Sequence, residues 1–504
     1  MSGQFTRREF LKGSLAAAVA AGAMSALPSS GAEGGELETR KPNVVFVFAD
    51  QLRSQALGCY GDKQARTPNI DRLAAEGARF TNAISTWPVC SPYRAMLLTG
   101  RYPMSNGVVA NDYCLWDNQD TIATALKARG YDTGYIGKWH LDGGGDRVPE
   151  DRRQGFDYWV PPNEVPMLSG SDPQVWRPEK QTDKAVSYIK EHKGKPFCLF
   201  VSWNPPHDPY IAPDRFMSMF PPDKMKLRPN VSESRLVSEQ LEKHPIPADT
   251  TAGMSRAKWR KRLDSDDGVR QILSGYYAAT SGLDVCVGRI MDALTEAGVA
   301  DDTILVFSSD HGDMLGSHRM CLKQEPFEES ISIPFIVRYP RGVRKGTVTD
   351  GIISPVDVMP TLLALAGVES PNGVQGISLA DAAKGKRSDQ QDAVLIMKML
   401  PGGNPWQINA ATEWRGVRTK THTYARLADG GPWVLFDNKR DPYQLNNLVG
   451  EPAHKKLQEA MEARMQALLK KADDPFDTEE IKRRITRESK TKLRRPPRGA
   501  KAGE

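Results

Sequence analysis

Cys90 is the residue of this sequence whose neighbours most clearly indicate chemistry. Pro92 follows it by two positions, and an apolar run begins after Arg94. Because proline is favoured in the first turn of a helix, this pattern predicts that Cys90 lies at a helix start. Free backbone N–H groups and the helix dipole favour a bound oxyanion at such a position. The sequence therefore predicts a cysteine beside an anion site.

Polar side chains also follow four predicted strands that lie far apart in the sequence. Ligands of open α/β sheets bind beyond the carboxyl ends of the strands, so we expect these side chains to meet at one edge. A single aspartate after a strand is more often a cap or turn residue, but four such sets together indicate a site. The sets are Asp50 and Gln51; Lys138, Trp139 and His140; His207 and Asp208; and Asp310, His311, Gly312 and Asp313.

The strands that carry these sets are runs of apolar, mostly β-branched and aromatic residues at 43–48, 131–136, 197–203 and 303–308. Such runs are typical of strands buried on both faces of a parallel sheet. Alternation of strands and helices predicts an α/β fold, a large, mostly parallel, doubly wound sheet with helices on both faces. The predicted helices are 68–76, 121–129 and a long one with apolar residues at helical spacing from Ile272 to Leu294.

The chain changes character from about Asp392. Short runs around Trp406, Trp414 and Trp433, separated by glycines and turn residues, predict a small antiparallel sheet, and a helix is predicted over 452–471. We therefore assign 41–385 to a large domain, 390–475 to a smaller C-terminal α+β domain and 476–504 to a basic tail. The net charge of +6 belongs to that tail, because 481–504 carries ten Lys and Arg against two acids, or +8, which leaves −2 for the rest. We expect a solvated extension and no nucleic-acid partner; the alternative is a polyanion-binding arm.

The first residues predict export. The run Thr6-Arg7-Arg8-Glu9-Phe10-Leu11-Lys12 resembles a twin-arginine signal, and the apolar segment 15–27 is shorter than the roughly 20 residues that span a bilayer. We assign 1–32 to a signal peptide, which implies the twin-arginine translocase as a partner and a periplasmic or secreted protein without a stable membrane span. The alternative is an uncleaved anchor.

Six cysteines are scattered through the chain without a CxxC pair. This spacing indicates neither a zinc ribbon nor a dense disulfide framework, although one or two bridges stay open. Cys198 and Cys286 lie in apolar patterns, so we expect buried free thiols there.

The segment Cys90-Ser91-Pro92-Tyr93-Arg94, followed by Leu98-Thr99-Gly100-Arg101, resembles the signature of the formylglycine-dependent sulfatases of the alkaline-phosphatase-like superfamily. The resemblance covers about 41–450. It implies a sulfate-ester hydrolase whose nucleophile is formylglycine, made from Cys90 by a formylglycine-generating enzyme. The hydrated aldehyde carries two hydroxyls on one carbon, one to attack sulfur and one to expel the sulfate. Supporting blocks occur in family order: Ala49-Asp50-Gln51, Gly137-Lys138-Trp139-His140, Pro205-Pro206-His207, Ser309-Asp310-His311-Gly312-Asp313, and Lys323 with Glu328-Glu329-Ser330.

The same resemblance implies a divalent cation, Ca²⁺ or alternatively Mg²⁺, since the ligands are mostly hard oxygens. Gln51 stands where many relatives carry a second aspartate and His311 where others use asparagine, so the identity and affinity of the metal stay open. The implied ligands are Asp50, Gln51, Asp310, His311 and the modified Cys90.

The resemblance also implies catalytic roles. Arg94 would steady the formylglycine hydroxyl, and Lys138 and Lys323 would offset sulfate charge. His140 is the candidate base that deprotonates the nucleophile and His207 the candidate acid that protonates the leaving alcohol, and these two roles could be exchanged. Phe327 replaces a tyrosine often found after Lys323, and we assign it to packing.

Two alternative functions stay open at this level. A phosphonate or phosphate diester hydrolase would share the metal site and the formylglycine, and a non-catalytic binder of sulfated glycans would use the same anion site. The substrate is a sulfated small molecule or carbohydrate. Export and the long loops at 144–173 and 213–264 favour a carbohydrate.

Overall fold

The computed structural model of this 504-residue chain describes most residues between 41 and 493. The predicted signal peptide at 1–32 and Trp406 lie outside the described residues. The long loops at 144–173 and 213–264 also lie partly outside them. Among the described residues, no helix combines the length and the apolar character needed to cross a membrane. The described ranges are 41–143, 148–164, 175–231, 261–386, 391–400, 413–428 and 430–493.

An eight-stranded sheet forms the centre of the fold, in the order β4-β3-β5-β1-β6-β7-β2-β8. β7 is antiparallel to both neighbours and the other pairs are parallel, which confirms the mostly parallel sheet. The four predicted strands are β1, β3, β5 and β6, and they lie side by side. The strands are β1 (Asn43–Asp50), β2 (Ala78–Ala83), β3 (Asp132–Gly137), β4 (Tyr158–Val160), β5 (Phe197–Pro206), β6 (Thr303–Ser309), β7 (Phe335–Arg338) and β8 (Thr347–Ile353).

Helices cover both faces of this sheet, as predicted. Successive residues of a strand point to opposite faces, so Val45 and Val47 of β1 enter one core and Val44 and Phe46 enter the other. The first core is completed by helices Pro68–Glu76, Arg177–His192 and Asp266–Glu296. The second core is completed by helices Cys90–Thr99, Ile122–Lys127, Pro355–Leu365 and Ala380–Ala383. Both faces of β1 are therefore buried away from water, which explains its continuous apolar sequence.

Local signals account for the helix ends. Ser265 accepts a hydrogen bond from the Gly268 N–H at the start of helix Asp266–Glu296, and Thr121 caps the helix that follows it. Further single-turn α-helices lie at Pro103–Asn106, Asp214–Met217 and Glu328–Ile331. Short 3₁₀ helices lie at Ser54–Ala56, Gly58–Tyr60, Glu150–Arg152, Pro222–Lys224, Ala300–Asp302, Ser317–Arg319 and Pro452–His454.

A second, four-stranded antiparallel sheet follows in the order β12-β11-β10-β9, as predicted for the C-terminal region. It packs with the large sheet inside one compact unit, Arg40–Glu504, and the Met397 N–H donates to the Thr86 carbonyl. The predicted helix at 452–471 is helix Lys455–Ala472. The strands are β9 (Ala393–Lys398), β10 (Trp414–Thr419), β11 (His422–Leu427) and β12 (Gly431–Asp437).

The prediction of a solvated basic tail is wrong for Thr478–Lys492, which is a helix packed onto the fold. Ile481 and Ile485, four residues apart, are 0% and 3% exposed, and four of the six basic side chains of this helix are exposed. The helix also contacts Trp116, whose Nε1–H donates to Ser489 Oγ. Two apolar residues form one narrow stripe, which is enough to dock a helix but too weak a pattern to stand out among ten cations.

All six cysteines are free thiols. Cys198 and Cys286 are buried, which confirms the prediction made for them.

Candidate active site

Cys90 is the first residue of helix Cys90–Thr99, as its sequence predicts, and it lies 1% exposed at the carboxyl edge of the sheet. Its sulfur is surrounded by charged and polar side chains from four different segments. The distances from Sγ are 3.4 Å to His311 Nε2, 3.5 Å to Lys138 Nζ, 3.6 Å to Lys323 Nζ and 3.7 Å to Asp50 Oδ1.

This environment favours negative charge at position 90. Burial raises the pKa of the Cys90 thiol, but the positive charges of Lys138 and Lys323 outweigh that effect and hold its pKa well below the usual value. A group of the same size that develops negative charge is therefore stabilised at this position.

Two carboxylates at the ends of the adjacent strands β1 and β6 share one guanidinium. Arg94 Nη2 lies 3.1 Å from Asp50 Oδ2 and 2.9 Å from Asp310 Oδ2, and its Nε is 3.2 Å from the same Asp310 oxygen. The Arg94 Nη1 donates to the Lys138 carbonyl at 2.6 Å and to Ser202 Oγ at 2.7 Å. Every nitrogen of the buried Arg94 guanidinium therefore donates to an acceptor that the fold supplies.

The two carboxyl groups differ in acidity because one has more cations beside it. Burial and the charge of Cys90 raise the pKa of Asp50, but Lys138, His207 and Arg94 together hold it below its usual range. Burial and the charge of Asp50 raise the pKa of Asp310. Two buried carboxylates this close strongly favour a cation between them.

The donor set fits a divalent cation. One ligand atom each from Asp50, Cys90, Asp310 and His311 lies within 4.8 Å of the others, and all four residues are buried. His311 Nδ1 is 3.0 Å from the Gly312 carbonyl, which only accepts hydrogen bonds, so Nδ1 carries the proton and Nε2 presents a lone pair towards Cys90. Fixing the tautomer in this way is what a metal-ligating histidine requires.

Gln51 is oriented by a residue to which the sequence reading gave no role. Its Nε2 donates to Asp313 Oδ2 at 2.6 Å, so its Oε1 faces the site and accepts from Lys323 Nζ at 2.7 Å. Tyr210 donates its hydroxyl to the same Asp313 oxygen at 2.7 Å. Gln51 has a positive φ of 71°, a backbone conformation that is unfavourable for residues other than glycine. It occurs at the end of β1, where the side chain turns into the site.

The two candidate proton-transfer histidines have different partners. His140 Nε2 lies 2.9 Å from Asp112 Oδ1, and its Nδ1 is buried without a hydrogen-bond partner among the described residues. Burial lowers the pKa of His140, but its interactions with Asp112 and Cys90 outweigh that effect and raise it above the ordinary value. An imidazole paired with a carboxylate in this way is a strong base with one free ring nitrogen.

His207 is held on both ring nitrogens. Nδ1 lies 2.9 Å from the Asp208 carbonyl, and Nε2 lies 2.8 Å from Lys323 Nζ. Burial and the charge of Lys323 lower the pKa of His207, but the charge of Asp50 and the interaction with Cys90 raise it above its ordinary value overall. Because the Lys323 ammonium only donates hydrogen bonds, Nε2 accepts in this contact, and the ring takes up a second proton only when Lys323 releases Nε2.

The structure brings together every residue that the sequence predicts for the site, around Sγ of Cys90. Three residues that orient this set were given no role from the sequence: Asp112, Ser202 and Asp313. Asp313 lies in the block after β6 and could have been found there, whereas Asp112 lies in a loop and Ser202 inside β5, where neither has a local signal. Phe327 is fully buried between His318 and Phe436, in agreement with a packing role.

Comparison with known proteins gives two family matches. Residues 42–368, more than half of the chain, match the profile of the family described as Sulfatase. Residues 316–471 match a profile described as N-sulphoglucosamine sulphohydrolase, C-terminal.

Individual relatives match over most of their length. The chain is 36% identical over 461 residues to an ulvan-active sulfatase of Formosa agariphila, covering 87% of this chain and 83% of that protein. It is 31% identical over 515 residues to an endo-4-O-sulfatase of Bacteroides thetaiotaomicron, covering 88% and 95%. A solved structure of a protein with its substrate D-glucosamine-2-N,6-O-disulfate matches with a TM-score of 0.73 at 26% identity, covering 86% of this chain and 99% of that one.

Proposed function

This chain belongs to the sulfatase family and is a sulfuric ester hydrolase, and from that premise we propose that it hydrolyses sulfate esters on a carbohydrate, using a divalent cation and a formylglycine made from Cys90. One observation carries the proposal. Cys90 begins a helix, and its side chain meets Lys138, Lys323, Asp50 and His311 within 3.7 Å. These groups offer a nucleophile position, positive charge for an anion, and ligands for a cation at one point.

The carbohydrate substrate is supported by the relatives. The similar proteins include an ulvan-active sulfatase, an endo-4-O-sulfatase and a protein solved with a disulfated glucosamine. The matches cover more than four fifths of each of these proteins, and the two family profiles together span 42–471, which includes the C-terminal sheet as well as the metal-ligand edge. We therefore infer a sulfated saccharide as the substrate class.

Asp50, Gln51, Asp310, His311 and the modified Cys90 would hold the cation, and their mostly oxygen character favours Ca²⁺, with Mg²⁺ as the alternative. When bound, the cation supplies electrostatic stabilisation of the sulfate and of the nucleophilic oxygen. Formylglycine supplies a hydroxyl nucleophile at neutral pH.

The residues of the chain itself supply charge and orientation. Lys138 and Lys323 hold ammonium groups 3.5 and 3.6 Å from Cys90 Sγ, where they neutralise an incoming sulfate. Arg94, fixed by Asp50 and Asp310, steadies the side chain at position 90. Because Arg94 is already saturated with acceptors, it acts on the geometry of the site more than on the substrate.

Proton transfer is assigned to the two histidines. His140 holds its Nε2 proton towards Asp112, which leaves the buried Nδ1 to accept a proton from the nucleophile. His207, whose pKa lies above its ordinary value, donates to the leaving alcohol once Lys323 has released Nε2 and that nitrogen has taken up a proton. The alternative exchanges the two roles, and the effect of each histidine-to-alanine variant on substrates with good and poor leaving groups separates them, since loss of the acid matters only for poor leaving groups.

The function is tested by measuring sulfate release from a panel of sulfated oligosaccharides and from 4-nitrophenyl sulfate, with and without chelator. We expect chelator-sensitive release that is absent in Cys90→Ala. Faster turnover of a phenylphosphonate ester than of any sulfate ester would favour the phosphonate hydrolase. Saccharide binding without turnover would make the protein a binder.

Export through the twin-arginine route is part of the same proposal, and it is supported by Arg7-Arg8 ahead of a short apolar segment. The translocase carries folded proteins, so the enzyme would mature before it crosses the membrane into the periplasm or the medium. Arg7→Lys with Arg8→Lys should leave active enzyme in the cytoplasm, measured by activity in cell fractions. Normal export of this double variant would contradict the assignment.

A further inference from the structure

Two adjoining cavities form a basic groove outside the active site. The first, of about 650 Å³, lies between the loop after β1 and residues 219–229. The second, of about 560 Å³, lies between β2 and the turns of the C-terminal sheet. Both are lined by Gln55, Tyr60, Arg228 and Tyr443, so they are continuous, and none of the predicted site residues lines either one.

The lining of this groove is dominated by positive charge. Five cations line the first cavity, Lys63, Arg66, Lys224, Lys226 and Arg228, against one acid, Asp62. The second cavity repeats the imbalance, with Arg228 again and four further cations against Glu328 alone. Those four are Arg79, Arg418, Lys420 and Lys439.

The two acidic side chains do not neutralise this charge. Asp62 accepts hydrogen bonds from Tyr277 and from the Gln64 N–H, and Glu328 is paired with Arg418. Other acids outside the lining pair with Arg228, Lys224 and Lys420. The remaining five cations form no ion pair with a described residue: Lys63, Arg66, Arg79, Lys226 and Lys439.

A concave surface with uncompensated cations attracts a polyanion, because each cation relieves its repulsion with its neighbours by pairing with the ligand. The volumes suit a chain of several sugar rings better than a single ion. The groove also offers neutral polar side chains, Gln55, Thr81 and Asn438, and the half-buried ring of Tyr443 for contacts with sugars.

Residues of the groove are close in sequence to residues of the site. The groove side chains of β2, however, lie on the face of the sheet opposite to helix Cys90–Thr99. Phe80 of β2 packs in the same core as helix Cys90–Thr99, so Arg79 and Thr81, which alternate with it, face away from that helix. Gln51 in the site and Gln55 in the groove are four residues apart, so their Cα atoms are at most about 14 Å apart. This separation is shorter than a glycan chain of several sugar rings.

We propose that this groove binds a stretch of the anionic polysaccharide that lies away from the ester being hydrolysed. The inference rests on the proposed carbohydrate substrate. The groove adds affinity for a polymer without touching the chemistry, so its loss weakens polymer binding and leaves the turnover of a small sulfate ester unchanged.

The test compares two triple variants that change net charge equally. The groove variant is Lys63→Glu, Lys226→Glu and Lys439→Glu; the control variant is Lys195→Glu, Lys345→Glu and Lys384→Glu, three exposed lysines outside both cavities. Binding of dextran sulfate is measured in a Cys90→Ala background at several salt concentrations around about 150 mM, with neutral dextran as the blank. Turnover of 4-nitrophenyl sulfate is measured in the same triple variants with Cys90 intact.

We expect the groove variant to weaken dextran sulfate binding about tenfold or more and to flatten its salt dependence, with less than about a twofold change in the control variant. Equal weakening in the two variants, or none in the groove variant, would overturn the proposal. Duplex DNA binding as tightly as dextran sulfate would overturn the assignment to a polysaccharide. If the unmutated protein released sulfate neither from 4-nitrophenyl sulfate nor from any sulfated oligosaccharide of the panel, the sulfatase function would be refuted instead, and the binding comparison would still test the groove.

Discussion

The carboxylate of Asp313 decides which end of the Gln51 amide faces the metal ligands, and its conversion to an amide should reverse that choice. Asp313 Oδ1 accepts from the Leu315 and Leu322 N–H groups at 2.9 Å each, and Oδ2 accepts from Gln51 Nε2 at 2.6 Å. In Asp313→Asn the amide oxygen must stay on the two backbone donors, since they cannot reverse. The new NH₂ group then faces another NH₂ group, and Gln51 has to flip.

The flip removes an oxygen ligand from the cation and turns a donor towards Lys323, whose Nζ lies 2.7 Å from Gln51 Oε1. A hydrogen bond to a charged group contributes about 1.5–3 kcal/mol. Substitutions of residues that orient metal ligands typically cost about 10- to 100-fold in metal affinity, which agrees with that energy. We therefore expect the Ca²⁺ concentration for half-maximal activity to rise about 10- to 100-fold in Asp313→Asn.

The assay follows 4-nitrophenyl sulfate turnover in calcium buffers, together with the rise in melting temperature produced by Ca²⁺, which falls as affinity falls. Tyr210→Phe is the matched control, because it removes one donor to the same oxygen without inverting Gln51. Adding Gln51→Glu to Asp313→Asn should restore most of the affinity, because the donor and acceptor are then exchanged between the two positions. Gln51→Glu alone should not help, since it faces the carboxylate of Asp313. An unchanged calcium requirement in folded Asp313→Asn would refute the reasoning.

Three further predictions concern the cation site, the modification of Cys90 and the buried carboxyl group of Asp284. Asp310→Asn should lower turnover by about two orders of magnitude or more, because it weakens the cation that positions nucleophile and sulfate; intact activity in this variant and under chelation would contradict the metal site. In active protein, the tryptic peptide that ends at Arg94 should be lighter than the unmodified peptide in mass spectrometry and should react with a hydrazide, and Cys90→Ala should keep the fold but lose turnover. Burial raises the pKa of Asp284 from 3.8 to about 6, so its ionisation costs the folded state about 3 kcal/mol above that pH and little below pH 4. The melting temperature of Asp284→Asn relative to the unmutated protein should therefore rise from pH 5 to pH 8, and a constant difference would exclude ionisation of Asp284 as the cause.

The sequence predicts the centre of the sheet better than its margins, for a physical reason. β1, β5 and β6 are buried on both faces, so their apolar runs are continuous, and the polar residues after them meet because parallel strands end at one edge. β2 has exposed Thr81 among buried neighbours and β4 has only three residues, so neither forms a recognisable run.

The site residues divide in the same way, into those that come at the ends of strong elements and those that lie in loops. Asp50, His207 and Asp310 are found because they come at the ends of strong strands, and Cys90 because it begins a helix-start pattern. Asp112 escapes prediction because only tertiary folding brings its loop to His140, as shown by its sequence distance of 28 residues from that partner. Loop contacts of this kind leave no periodic signal in the chain.

The burial of Cys90 sets an order of events in the biogenesis of this protein. At 1% exposure, its side chain is out of reach of another enzyme once the fold has closed. The fold around Cys90 is complete only when Lys323, which contacts its sulfur, has been synthesised, and Lys323 is 233 residues further along the chain. At about 5–20 residues per second, a ribosome needs roughly 10–50 seconds to add that length. Under the proposal that Cys90 becomes formylglycine, the maturation enzyme would have that interval to oxidise the thiol, and a molecule that folds with the thiol intact would stay inactive until it unfolds again.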